Sequence, residues 1–111
     1  MNTSPTSLGL DKTFNALSNS KRRGIVHDLS LSPATISQLA RNHGSTLPAI
    51  HKHIRLLEDA QLIKRKKVGR TNFVALKPDS IALAQTWMMQ YKTEWARGNA
   101  SLTNYIARMQ E

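Results

Sequence analysis

Residues 35–76 read TISQLARNHGSTLPAIHKHIRLLEDAQLIKRKKVGRTNFVAL, and this stretch decides the fold. Thr35 with Gln38 three positions on is a capping-box signature, so a short helix opens there and buries Ile36, Leu39 and Ala40. Asn42, His43 and Gly44 stop it, because glycine accepts the left-handed conformation of a helix end. Ser45 or Thr46 caps the next helix, and Pro48 falls in its first turn, where a missing N–H does no harm. That helix spans 46–60. Ile50, Ile54 and Leu57, at i, i+4 and i+7, give it one apolar face that Leu56 widens, while Ala49, His51, Lys52 and Arg55 point elsewhere. After Leu62 and Ile63 the pattern becomes extended. Residues 64–75 predict a hairpin turning at Gly69, anchored by Ile63, Val74 and Leu76, with Lys66, Lys67 and Arg70 at its tip. Such a pair of strands is marginal alone in water and must pack on the helices.

Upstream, residues 1–7 form a polar tail without periodicity, expected to be disordered. Leu8, Leu10, Phe14 and Leu17 make an irregular apolar stripe over Ser7–Leu17, a first helix ended near Ser18 and Asn19. A second helix starts at Ser20 and turns Ile25, Val26 and Leu29 inward. Lys21, Arg22 and Arg23 crowd its first turn, where cations oppose the helix dipole, and either a nearby phosphate or solvent compensates them. Downstream, Ile81, Ala84, Met88, Tyr91, Trp95, Gly98, Leu102, Tyr105 and Met109 keep a 3-4-3-4 spacing, a heptad seam longer than a small domain can cover by itself. Two copies pairing along it is the expectation. Gly98 is its weak point, since glycine costs about 1 kcal/mol in a helix interior, and a break there starts a second piece near Ser101. The organisation expected is a tail over 1–7, a folded helix-and-hairpin domain over 8–78 and a dimerising helix, or helices, over 79–111.

Composition narrows the function classes. The 111 residues carry 16 Lys plus Arg against 7 Asp plus Glu, a formal charge of +9, which a polyanionic partner would explain. Lys52, Arg55, Lys64, Arg65, Lys66, Lys67 and Arg70 concentrate that charge, with only Glu58 and Asp59 among them. The absence of cysteine excludes disulfides, thiolate metal ligands and redox chemistry at sulfur. No stretch is long and apolar enough for a membrane span, and the first residues lack a secretory signal, so a cytoplasmic, nucleoid-associated protein is expected. No Gly-rich phosphate loop, paired carboxylates or nucleophile motif suggests an enzyme, and no cofactor is implied. His51 and His53 lie roughly 200° apart around a helix and cannot converge on one ion, and His27 and His43 are distant in sequence. No metal site is expected.

The segment Phe14–Leu76 resembles the winged helix-turn-helix of the ArsR family of bacterial transcriptional repressors. The resemblance rests on ALSNSKRRGIV in the first two helices, ISQLA in the third, and IHKHIRLLEDAQLIKRKKVGRTNFVAL in the recognition helix and wing. It implies a mainly helical fold with a small β-hairpin, four helices before the hairpin and a last helix after it, dimerised through its terminal helices. It also implies that the 46–60 helix enters the major groove, with Leu47, Pro48, Ala49, His51 and Lys52 at bases and sugars and Arg55 at phosphate. Arg70, with Thr71 beside it, would then reach the minor groove from the wing, and Lys66 and Lys67 the flanking backbone. Leu8, Leu10 and Phe14 would complete a dimer interface formed by Ile81, Ala84, Met88, Tyr91, Trp95, Leu102 and Tyr105. His53 falls where the family often has a histidine, and a structural role is preferred for it. Two departures stand out: Gln61 replaces the usual glycine of Ala-Gly-Leu and should carry left-handed strain, and the metal-sensing cysteines of many relatives are missing from residues 36–41. The partners expected are double-stranded DNA, a second copy and an effector whose existence and identity the sequence leaves open. The other class of reading is a protein-interaction module that uses the seam, its basic surface serving only solubility.

Overall fold

In a computed structural model, residues 5–96 and 101–110 are described, with side chains from Gly9 onward. The elements in chain order are α1 (Pro5–Ala16), α2 (Ser20–Leu31), β1 (Ala34–Thr35), α3 (Ile36–Asn42), α4 (Leu47–Asp59), β2 (Ile63–Val68), β3 (Thr71–Leu76), α5 (Asp79–Ala96) and α6 (Leu102–Met109). The chain divides into two compact units, the first ending at Ile81 and the second beginning at Ala82.

In the first unit, α1 begins at Pro5 and so takes in residues that the sequence reading leaves in the tail; residues 1–4 lie outside the described residues. Its inward residues are Thr13 and Ala16, each 1% exposed, whereas Phe14 is 37% exposed and Leu10 and Leu17 are half-buried. Thr13 can be buried because its hydroxyl donates back to the Gly9 carbonyl (2.8 Å), which leaves no polar atom unsatisfied. The cations of α2 have partners that the sequence did not reveal. Arg22 Nε donates to Ala16 O (2.7 Å) and another of its nitrogens to Asn15 O, while Arg23 donates to Leu17 O. These carbonyls end α1, the negative end of its dipole. What is unfavourable at the start of α2 is thus offset at the end of α1, and Asn19 caps α2 by accepting from the Lys21 and Arg22 backbone N–H groups.

α3 and α4 match the residues that announce them. Thr35 and Gln38 form both bonds of the capping box, and Ile36, Leu39 and Ala40 are buried. α3 closes through Gly44 N to Arg41 O and Ser45 N to Ala40 O, with Gly44 at φ +58°. Thr46, not Ser45, caps α4, accepting from Ala49 N. The turn is braced from α2: His43 Nε2 lies 2.8 Å from Asp28 Oδ2, and its ring packs so close to Gly24 that a Cβ there would stand 2.8 Å from His43 Cε1.

α4 ends through the same closure as α3, Gln61 N to Glu58 O and Leu62 N to Leu57 O. Here the left-handed position is Gln61, at φ +60°, as the sequence implies. Replacing it with glycine should therefore stabilise the protein by about 0.5–1 kcal/mol, the β-carbon strain less the greater entropy of the unfolded glycine. A rise in the urea midpoint reads this; an unchanged midpoint would mean the turn carries no strain.

The sheet has three strands in the order β1-β3-β2. The sequence reading foresaw only β2 and β3; β1 adds Ala34↔Val74 and Thr35↔Phe73. Ile63 and Val74 anchor the hairpin in a core with Ile25, Leu29, Leu39, Ile50, Ile54, Leu57 and Leu62, and Leu76 and Ile81 pack against it. The entry to α5 is tied down by Ser80 Oγ donating to Ala60 O.

In the second unit, α5 runs to Ala96, and α6 starts at Leu102 with Ser101 as its cap, accepting from Asn104 N. The second helical piece thus begins where expected, while the foreseen break at Gly98 falls outside the described residues. Trp87 and Tyr91, one turn apart on α5, meet in a tilted contact, with ring centroids 4.9 Å apart and planes 60° apart.

Candidate nucleic-acid interface

Burying Ile50, Ile54 and Leu57 commits one face of α4 to the core and turns the opposite one outward. At roughly 100° per residue, Pro48, Lys52 and Arg55 share the outward stripe, with His51 and Leu47 on its flank toward the wing and Ala49 on the other. Leu47, Pro48, Ala49, Lys52 and Arg55 are exposed, and His51 is half-buried.

The wing is a two-residue hairpin in which Val68 pairs with Thr71 and Gly69 and Arg70 form the turn. Gly69 takes φ +62° and Arg70 has no positive φ, the pattern of a type II′ turn. Register settles the direction of each cation. Ile63/Leu76, Arg65/Val74 and Lys67/Asn72 lie on one face, and Lys64/Ala75, Lys66/Phe73 and Val68/Thr71 on the other. Lys66 and Lys67, grouped in the sequence reading, therefore leave the ribbon on opposite sides. Lys67 shares the face of core-directed Arg65 and Val74, while Lys66 stands beside the partly exposed ring of Phe73.

Three elements meet in one concave surface, lined by Thr35, Ile36 and Ser37 at the start of α3, Leu47 and His51 on α4, and Arg70, Thr71 and Asn72 on the wing. Sequence reasoning named Leu47, His51, Arg70 and Thr71 separately; the fold brings them together. It gave Thr35 and Ile36 only as cap and core and missed Ser37 and Asn72. Counting back from a two-residue turn would have placed Asn72 opposite Lys67, but nothing local signals that the N-terminal turn of α3 reaches the wing.

His53 lies apart from this surface. Its Nδ1 is 3.3 Å from an Arg22 nitrogen, and since a guanidinium only donates, Nδ1 is the acceptor. Burial, then the charges of Arg22, Lys21, Lys52 and His43, lower its pKa and favour the neutral ring this bond requires. His53 thus joins α4 to α2. Among the described residues, no three His, Asp or Glu side chains gather as a metal site would require, and no helix is long and apolar enough to cross a membrane.

Of the expected interface positions, two are already covered within the protomer. Ile81 packs against the hydrophobic core, since the first turn of α5 belongs to the first unit, and Ala84 is buried. Met88, Tyr91, Trp95, Leu102, Tyr105 and Met109 are all exposed, joined by Leu83, Trp87 and Ile106, which the heptad count passed over. The side chain of Leu8 lies outside the described residues.

A helix held by a capped turn, with its polar face outward and a cationic β-ribbon beside it, defines a winged helix-turn-helix DNA-binding protein. A family profile described as a helix-turn-helix domain matches residues 17–66. The HTH-type transcriptional regulator Rv2034 of Mycobacterium tuberculosis is 29% identical over 92 residues, which make up 83% of this chain and 86% of that protein. The crystal structure of an ArsR family transcriptional regulator shares 32% identity at a TM-score of 0.77, covering 86% of this chain and 97% of its own. An ArsR-like transcriptional regulator from Rhodococcus sp. RHA1 is 27% identical at a TM-score of 0.79, over 99% of this chain and 100% of its own. A homodimeric winged helix-turn-helix DNA-binding domain from Mycobacterium bovis has the same fold, at 14% identity and a TM-score of 0.65 over 91% of this chain and 95% of its own. The chain belongs to the ArsR family, and it is a DNA-binding transcriptional regulator.

Proposed function

We propose that the protein is a homodimeric repressor that occupies an operator built as an imperfect inverted repeat, acting by occupancy and not by catalysis. The observation that carries this reading is the concave surface where the start of α3, the outward flank of α4 and the wing converge. A duplex lying against it would bring Leu47, Pro48, Ala49, His51 and Lys52 to base edges and sugars, Arg55 to phosphate, Arg70 and Thr71 to the minor groove, and Lys66 and Lys67 to the backbone on either side of the ribbon. Pairing of two copies is supported by the exposed stripe from Met88 through Trp95 to Tyr105, with Trp95 66% and Leu102 70% exposed, which exceeds the scattered apolar residues of an ordinary surface. Leu10 and Phe14 of α1 would add to that interface; a Mycobacterium bovis domain of the same fold is homodimeric. Twofold symmetry then sets half-sites about one helical turn, roughly 34–36 Å, or a small multiple of it, apart. Such a protein works inside the cell, on the chromosome.

The experiment is selection of bound fragments from the genome of origin, repeated with His51→Ala and Lys52→Ala. An inverted repeat should emerge for the natural sequence, and each variant should change the preferred bases within the half-site. If both variants weaken every DNA equally, neither residue reads bases; if no repeat emerges, the operator model fails.

A further inference from the structure

We propose that Glu58 and Arg65 are positioning residues: a carboxylate in the last turn of α4 grips the guanidinium of β2 and fixes the wing's angle to the recognition helix. The inference rests on the functional reading above and deepens it. Arg65 Nε donates to Glu58 Oε2 (3.2 Å) and a terminal guanidinium nitrogen to Oε1, so the two groups meet fork to fork. Both side chains are only about a quarter to a third exposed, at 28% and 29%.

Their place in the sheet shows why a tether is needed there. Arg65 pairs with Val74, the last wing position whose side chain is buried; beyond it residues 66–71 are all exposed. β3 is held on its far side by β1 as far as Phe73, but β2 is an edge of the sheet. Nothing pairs with the outer side of β2 among the described residues, and a free two-stranded ribbon twists easily. Arg65 supplies a side-chain hold on that edge at the point where the ribbon leaves the core.

Glu58 is otherwise hard to place. A carboxylate at a helix C-terminus opposes the dipole, and a carboxylate near a DNA-binding face repels phosphate. This gives the test a sign. On charge alone, Glu58→Gln removes one negative charge per protomer and should tighten DNA binding. On the positioning account it should weaken operator binding by about tenfold, the scale of a single net hydrogen bond between protein and DNA. Arg65→Lys keeps the charge but loses the fork and should weaken binding too. The swapped pair, Glu58→Arg with Arg65→Glu, has the natural net charge and should restore most of the affinity. Residual dipolar couplings of amides 66–72 in the DNA-free protein read the wing's angle directly; they should shrink or reorient in Glu58→Gln while those of α2 and α4 stay. Tighter or unchanged binding by Glu58→Gln, or unchanged ribbon couplings, would overturn the proposal. If the natural protein shows no preference for any DNA, the functional reading fails, and the couplings still decide whether the tether holds the ribbon.

Discussion

Ile54→Ala should cost about 2–5 kcal/mol of folding stability, the range for emptying a large aliphatic site in a core that relaxes only in part. Ile54 has no exposed surface, and it sits on α4 between Ile50 and Leu57, which have none either. The cavity would open in the middle of the helix, where neither end can slide to fill it. A domain of this size has roughly 5–15 kcal/mol in total, so the loss is a large share, and the thermal midpoint should fall by at least about 8 °C. Arg55, the next residue, is exposed. Arg55→Ala should leave stability within about 0.5 kcal/mol, as surface changes do, while weakening DNA binding. Urea titrations of both variants at one protein concentration give the comparison. If Ile54→Ala unfolds no more easily than the natural sequence, the division of α4 into a core face and a DNA face is wrong.

That division was legible in the sequence because its signals are local. The Thr35/Gln38 box, the glycine stop at 44, Pro48 in a first turn and the Ile50, Ile54, Leu57 period each act within one or two turns of chain, and all four appear in the structure. What the sequence hid depends on distant residues. β1 is two residues long, and its partner Val74 lies forty positions on, so no periodicity could announce it. The bonds from Arg22 to Ala16 O and to His53 depend on how three helices pack. Charge patterning on α2 therefore suggested a phosphate or solvent where the structure has helix-end carbonyls. The opposite outlook of Lys66 and Lys67 is a different kind of omission. The alternation of a strand implies it, but counting cations at a tip treats them as one group.

Operator binding should weaken steeply with salt: if a dimer neutralises roughly 6–10 phosphates, affinity drops about 10³–10⁵-fold between 50 and 200 mM monovalent salt. The cause is release of counterions condensed on the duplex, each displaced by a fixed protein cation, so the slope reports the number of phosphates met and is indifferent to sequence. The geometry gives one protomer enough candidates: Lys52 and Arg55 on the outward stripe of α4, Lys66 and Lys67 on the two sides of the ribbon, and Arg70 at its turn, all exposed and none in an ion pair among the described residues. Doubling by symmetry reaches the stated range without calling on the cations of α2. Arg22 and Arg23 are bonded to the end of α1, so their removal should act through stability and leave the slope unchanged. Lys67→Ala removes one phosphate partner per protomer and should flatten the slope by about 2, twice the roughly 0.9 expected for each phosphate. Fluorescence anisotropy at four salt concentrations, with operator and with random duplex of equal length, yields both slopes. Random DNA should show nearly the same dependence at weaker affinity, because the basic surface meets the backbone either way while α4 reads only the operator. A flat response on the operator would mean that the wing and the outward stripe of α4 do not lie against phosphates at all.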